Sequence, residues 1–392
     1  TKGRCKKGAK IMKKMGIGLI GCGNISTAYL QLASQFSPLE MRAVADLDMA
    51  AAKTQAEKFN LRALSVPEIL ASGDIDIIVN LTVPAAHFEV TKQILQAGKH
   101  AFSEKPFVLS LQEGEALRKL ADETGLRIGS APDTFLGGAH QLARSLIDQG
   151  AIGEVLSGTC HVMSRGMEAW HPNPDFFFQP GGGPVLDLGP YYITNLVQLI
   201  GPVKAVSAMG STGLKTRTIG TGARTGESIL VDTPTTHHAL LEFQSGAIIT
   251  LGASWDVCAH RHENMELYGS KGSLYVPDPN FFGGSVVYTD ASGGTAQPKQ
   301  DDHPFGITNT TDGQGEKRAN YRSVGLADMA AAILENRPHR CSLDLAAHVV
   351  DVMTSILDSG EKKQWIELST SCARPAALGK TEALKLLDQT AG

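Results

Sequence analysis

Along the first third of the chain, short apolar runs alternate with stretches whose apolar residues recur every three or four positions. The runs at 17–20, 41–45, 76–81, 100–103 and 126–131 predict strands, and 27–34, 48–59, 85–97 and 111–124 predict helices between them. Gly98 stands where a left-handed residue stops a helix, and Ser110 stands where a hydroxyl caps the next one. Such alternation is the order of βαβ units, so this part reads as a doubly wound parallel sheet. After Pro132 the pattern changes. One amphipathic stretch, 139–149, leads into 155–163, 203–209, 236–243, 247–254, 264–268 and 272–276, which are β-branched, bounded by glycine and read without helices between them. They predict a large, mainly antiparallel open sheet. Residues 290–320 read as a long loop, and 323–335 and 342–358 as closing helices. The fold class is thus an α/β Rossmann dinucleotide-binding domain at 15–131, followed by an α+β substrate-binding and oligomerisation domain at 132–368. A basic leader (1–14) and a tail (369–392) flank them.

Composition narrows the function. With 392 residues, 42% apolar and 19% charged, the chain has the make-up of a globular protein of two domains. It carries 36 basic and 40 acidic side chains, and seven of the basic ones (Lys2, Arg4, Lys6, Lys7, Lys10, Lys13, Lys14) lie in the leader. The rest is therefore 29 against 40, or −11, and an acidic body argues against a nucleic-acid partner. The leader and the apolar residues 15–22 together imitate an export signal, but those residues suit the first strand better. The leader is read as a disordered extension, with Met12 or Met15 as a start. Six cysteines at 5, 22, 160, 258, 341 and 372, never spaced Cys-x-x-Cys, suggest a reducing compartment, the cytoplasm. No run approaches the ~18 apolar residues that cross a bilayer, so no membrane association is expected.

Gly21-Cys22-Gly23-Asn24-Ile25-Ser26 follows the first strand and opens the first helix, the context of a dinucleotide fingerprint. Gly21 permits the turn, and Gly23 lets a pyrophosphate approach the helix N-terminus. Asp46 ends the second strand 25 residues after Gly21, where a carboxylate accepts from the adenosine ribose and repels a 2′-phosphate. NAD is expected over NADP.

Glu104-Lys105-Pro106 falls at the carboxyl edge of the sheet. Together with Asn80-Leu81-Thr82-Val83-Pro84, His87 and Gly98-Lys99-His100, it resembles the glucose-fructose oxidoreductase / inositol dehydrogenase (Gfo/Idh/MocA) family. The run Gly181-Gly182-Gly183-Pro184-Val185-Leu186-Asp187-Leu188-Gly189-Pro190-Tyr191 looks like the family's second motif. The resemblance spans about 15–368. It implies that Lys105, Asp187 and Tyr191 carry the chemistry, and that Asn24, Ile25, Thr82, Pro84, His87, Glu104 and Lys105 join Gly21, Gly23 and Asp46 around the cofactor. Where many members have His, position 191 is Tyr, as in the sugar-oxidising tyrosine branch. Asp187 and Tyr191 are four apart and share a helix face. A phenol with an ordinary pKa of about 10 needs a neighbouring cation such as Lys105 to act as a base. The implied activity is NAD-dependent oxidation of a sugar or polyol hydroxyl, foremost an aldose at its anomeric carbon to a lactone. The alternatives are a cyclitol or glycoside ring hydroxyl, or a non-catalytic sugar sensor. Trp170 and His171, where the family places an aromatic pocket residue, and Asp133, at the same sheet edge, are substrate candidates; Tyr192 adjoins Tyr191 as a rival base. Cys258, His260, His262 and Glu263 fit no zinc spacing, so no metal is expected, and His237-His238 reads as structural. A homodimer or homotetramer through the second-domain sheet is expected.

Overall fold

The computed structural model describes residues 13–299, 302–311 and 315–388. Most of the leader, including five of its seven basic residues and Met12, lies outside the described residues. The first domain contains β1 (Met15–Ile20), α1 (Asn24–Ala33), β2 (Leu39–Ala45), α2 (Met49–Phe59), β3 (Arg62–Leu64), α3 (Val66–Ala71), β4 (Ile77–Asn80), α4 (His87–Gln96), β5 (His100–Ser103), α5 (Leu111–Thr124) and β6 (Ile128–Ser130). Its strands form one parallel sheet in the order β3-β2-β1-β4-β5-β6. β1 and β4 are buried at every position, because helices cover both faces of such a sheet. The doubly wound expectation holds. Two elements are additional: β3 has only three residues, and the short α3 owes its start to the capping box of Ser65 and Glu68.

The second part follows as α6 (Gly138–Asp148), β7 (Val155–Met163), α7 (Pro184–Ile200), β8 (Val203–Ser211), β9 (Thr216–Thr218), β10 (Ser228–Leu230), β11 (Thr236–Phe243), β12 (Ile248–Ser254), β13 (Met265–Gly269), β14 (Gly272–Val276), β15 (Val287–Asp290), β16 (Thr295–Ala296), β17 (Thr310–Thr311), β18 (Lys317–Arg318), α8 (Val324–Glu335), α9 (Leu343–Lys362), β19 (Ile366–Glu367) and α10 (Lys380–Leu386). Nine strands form an open sheet, β16-β15-β14-β13-β7-β12-β11-β8-β19, antiparallel except where β12 runs parallel to β7. The reading without helices between the strands is corrected by α7, which is apolar nearly all round because it is buried nearly all round. α7 and α9 cover the inner face of the sheet. Alternation along β11 leaves His238 and Leu240 outside while His237, Ala239 and Leu241 are buried.

Two segments read as loop and tail take structural roles. Within 290–320, Phe305 is fully buried against Phe36 and Tyr321. Beyond 369, the chain returns to the first domain: α10 buries Ala383 and Leu386, the Ser37 amide donates to the Leu386 carbonyl at 2.8 Å, and Phe36 bridges Leu387. No helix among the described residues is long and apolar enough to cross a membrane.

Candidate active site

The carboxyl ends of β1, β2, β4 and β5 carry the first group of side chains. Gly21 turns the chain at φ +105°, where a Cβ would come within 2.6 Å of the Leu81 carbonyl oxygen; only glycine fits. Beside Gly23, by contrast, a Cβ would meet nothing within 4 Å, so the start of α1 faces open space with no side chain capping it. That combination suits a pyrophosphate. Asp46 sits at the end of β2; Oδ2 accepts from the Cys22 amide at 2.6 Å and Oδ1 from the Asp48 amide at 2.9 Å. Burial, then the Asp46 charge, pushes the Cys22 thiol up to about 12, so it stays protonated. Leu47 and Val83 are exposed apolar residues beside these turns, 97% and 66% accessible, and offer apolar flanks to an adenine and a nicotinamide ring. The residues present therefore fit a dinucleotide.

Several expected cofactor residues brace the site instead. His87 is fully buried, with Nδ1 2.7 Å from the Pro106 carbonyl and Nε2 3.0 Å from that of Thr82. Burial lowers its pKa, and the ring fills the space between the Thr82-Pro84 and Lys105-Pro106 turns, a neutral imidazole donating its one N–H to one of the two carbonyls. Glu104 spends both oxygens on protein: Oε1 accepts from the Tyr29 hydroxyl at 2.9 Å and from Arg322 Nη1 at 3.0 Å, and Oε2 from the Lys105 amide at 2.8 Å. Thr82 rests on Asn80 Oδ1 through both its hydroxyl and its amide.

Lys105 and α7 form the second group. Lys105 Nζ donates to Asp187 Oδ1 at 2.8 Å and to the Asp187 carbonyl at 2.7 Å, and lies 5.2 Å from the centre of the Tyr191 ring. Burial works against the ammonium, but Tyr191, Asp187 and Glu104 outweigh it and the Lys105 pKa moves up. Lys105 is therefore a fixed cation. Lys105, Asp187 and Tyr191, taken from two distant motifs, come together. Tyr192 does not join them: its hydroxyl donates to Asp278 Oδ1 at 2.9 Å and accepts from Asn264 at 3.0 Å, and burial drives its pKa upward.

Arg322, which no sequence pattern singled out, completes the group. Its guanidinium lies 5.9 Å over the Tyr29 ring and bonds Glu104; of the neighbouring charges acting on it, Tyr191 is the strongest, as it is for Lys105. Asp133 is fully buried, and its Oδ2 accepts from the amides of Ser323 and Gly325 at 3.0 and 3.1 Å, so it fixes the start of α8 next to Arg322 and does not face a substrate. Burial raises its pKa to about 6. His171 lies in an aromatic cluster with Trp170, Phe176 and Phe177, and none of its ring contacts reaches Lys105, Asp187 or Tyr191. Among the described residues no group of metal-ligating side chains occurs; His262 instead stacks on His161 at 3.8 Å.

A parallel dinucleotide-type sheet, an open second sheet and a lysine–carboxylate–tyrosine group at their junction define a two-domain nucleotide-dependent protein. Two models of one family match the chain: "Oxidoreductase family, NAD-binding Rossmann fold" over residues 15–131 and "GFO/IDH/MocA C-terminal domain" over 140–275. The chain belongs to the Gfo/Idh/MocA oxidoreductase family, and its first domain is an NAD-binding Rossmann domain. An uncharacterised oxidoreductase (C115.03) of Schizosaccharomyces pombe is 30% identical over 148 residues, 37% of this chain and 39% of that protein. The chain thus spans well under half the length of that curated relative. The dTDP-3,4-didehydro-2,6-dideoxy-alpha-D-glucose 3-reductase of Saccharopolyspora spinosa is 27% identical over 269 residues, 67% of this chain and 75% of that protein. Among solved structures, levoglucosan dehydrogenase in complex with NADH superposes with a TM-score of 0.76 at 23% identity, covering 91% of this chain and 100% of the other.

Proposed function

We propose that this chain oxidises a hydroxyl of a sugar or polyol by transferring hydride to NAD. The observation that carries the reading is Lys105 held on Asp187 at 2.8 Å and lying over Tyr191, beside the turns that suit the dinucleotide. NAD, when bound, supplies the hydride acceptor. Tyr191 takes the proton from the substrate hydroxyl while the carbon gives up its hydride, so the C–H and O–H bonds break as a C=O bond forms. Lys105, charged across neutral pH, attracts the substrate oxygen as negative charge grows on it, and Asp187 fixes the lysine. Asp46 holds the adenosine ribose and disfavours a 2′-phosphate.

The tyrosine at 191 supports the finer reading, oxidation of an aldose at its anomeric carbon to a lactone. A second reading, a ring hydroxyl in a cyclitol or glycoside, is favoured by the name of the S. spinosa relative, a sugar 3-reductase. The five cysteines among the described residues are unpaired, in keeping with a cytoplasmic location. The outer face of the nine-stranded sheet, where Met209, Leu240 and Ile248 are half or more exposed, would pair subunits into a homodimer or homotetramer. The test is NADH absorbance with purified chain and panels of aldoses, cyclitols and glycosides. An increase with aldoses, accompanied by lactone, is expected; no reduction of NAD by any panel removes the proposal.

A further inference from the structure

Around the Lys105 group two cations, Lys105 and Arg322, stand against three carboxylates, Asp187, Glu104 and Asp133. Asp187 is paired with the Lys105 ammonium, and Asp133 is taken up by the amides of Ser323 and Gly325. Glu104 differs from both. Its charge acts on Lys105 through space, yet its oxygens go to Tyr29, Arg322 and the Lys105 amide rather than to the ammonium. Arg322 is the one cation bonded to it, at 3.0 Å, with the two side chains 14% and 9% exposed.

The fold holds Arg322 in place by a strained corner. Ser323, the next residue, is fully buried at φ +83°, a left-handed conformation that serine rarely adopts, and strain of this kind collects where a structure must aim a side chain. Asp133 Oδ2 secures the corner by accepting from the amides on either side of Val324. Gly325 then lies so close to the first domain that a Cβ would come within 2.8 Å of the Asp133 Cβ and 3.2 Å of the Phe102 ring. Phe102 belongs to β5, the strand that leads into Glu104 and Lys105, so the start of α8 is pressed against the element that carries the lysine.

We propose that Arg322 is a positioning residue for the hydride transfer: it acts through Glu104, cancelling that charge and holding the carboxylate on the Lys105 backbone, so that the Lys105 ammonium serves only Asp187 and the substrate oxygen. The proposal rests on the dehydrogenase reading above. As the substrate hydroxyl loses its proton, negative charge grows on its oxygen, and an uncompensated carboxylate beside Lys105 would oppose that growth in a buried site where charges are poorly screened. Without Arg322, one cation would face three carboxylates.

The experiment compares Arg322→Gln, Glu104→Gln and the double variant with wild type, on whichever sugar of the panel above reduces NAD, with active sites counted by NADH titration. Arg322→Gln should lower kcat per NADH site ~10- to 100-fold, while the sugar KM and the NADH affinity change by no more than ~3-fold. Adding Glu104→Gln should raise kcat again, to within ~3-fold of Glu104→Gln alone, because the charge that Arg322 cancels is then gone. A residue serving the fold alone would lower the melting temperature and the number of NADH sites and leave kcat per site unchanged. That outcome overturns the proposal, as does a double variant no faster than Arg322→Gln. Breaking a buried pair from one side costs stability, so should Arg322→Gln not fold, the decision passes to Glu104→Gln against the double variant, in both of which the carboxylate is gone. Equal kcat within ~3-fold supports action through Glu104, and a larger loss overturns it. Wild-type inactivity towards every panel member would remove the dehydrogenase reading and this role with it, whereas an active wild type with an equally fast Arg322→Gln variant would remove the role alone.

Discussion

A lysine that accepts no competing role can be tested one atom group at a time. Under the proposed mechanism Lys105→Met removes the cation beside the reacting oxygen, and Tyr191→Phe removes the proposed proton acceptor while keeping the ring, so either should lower kcat by ~10² to 10⁴. Because both serve one proton transfer, the double variant should be little worse than the worse single variant. Steady-state kinetics checks this: wild-type turnover in Tyr191→Phe would move the base elsewhere. Asp46→Ser should narrow the preference for NAD over NADP, measured by titration of each nucleotide. Asp133 gives a prediction of opposite character. Its carboxyl keeps its proton up to about 6 in the fold against 3.8 ordinarily, so between those values the folded state binds more protons and ionisation costs stability as pH rises. The melting temperature of Asp133→Asn relative to wild type should therefore climb from pH 4 to 6.5 and then level off; a flat difference would show that the ionisation is harmless. Lys105, Asp187 and Tyr191 were legible in the sequence because each lies in a motif with fixed neighbours. Arg322 was not, since a single arginine ahead of a helix carries no spacing, and only the fold brings it to Glu104, 218 residues away in sequence.

At the scale of elements, α7 decides which tyrosine meets Lys105. Adjacent helical residues point about 100° apart, so Tyr191 meets Lys105 while Tyr192 turns to Asp278 and Asn264 on the sheet side. Tyr192→Phe should cost stability, by chemical denaturation, because the buried Asp278 loses its hydroxyl donor and keeps the Asn280 amide, with kcat changed far less than in Tyr191→Phe. The sequence left the two as rivals because both fit the motif's end. Periodicity showed the parallel sheet plainly, since its strands are continuous apolar runs. It missed β3, three residues with no period to count, and it hid α7, whose all-round apolar surface gives no amphipathic contrast. The segment carrying α10 was unreadable for a related reason: seven helical residues gain their stability from the surface they cover. Removing 379–392 should cost roughly 3 kcal/mol from Ala383 and Leu386 alone, visible as a lower denaturation midpoint with the second domain still folded.

For the whole molecule, the exposed sheet face and the buried histidines set the response to conditions. Met209, Leu240 and Ile248 are exposed on one face of the sheet, with Glu242 opposite Ile248, so a second acid there, Ile248→Glu, is expected to lower the mass seen by light scattering; a wild-type monomer at micromolar concentration would refute pairing through this face. His140, His161, His237 and His348 all have pKa values pulled down to about 4, burial being the first cause in each. Unfolding would let them protonate near 6.5, so the stability they contribute is present above 6.5 and lost as pH falls toward 4. The urea midpoint should drop over that window, with proton uptake by these histidines on unfolding, against the opposing effects of Asp133 and Asp278, whose carboxyls burial pushes up. The order of the sheets along the chain was legible from the change of pattern near Pro132, but their closure was not, because the contacts that join them are far apart in sequence. The bond between Ser37 and Leu386 spans 349 positions. A ribosome making this protein therefore releases a nucleotide-binding domain whose strands are all present but whose flank at Phe36 is bare until nearly all the rest has been translated. Nascent chains halted after residue 131 should consequently be captured by hydrophobic-binding chaperones and cleaved by proteases at sites that the finished molecule hides.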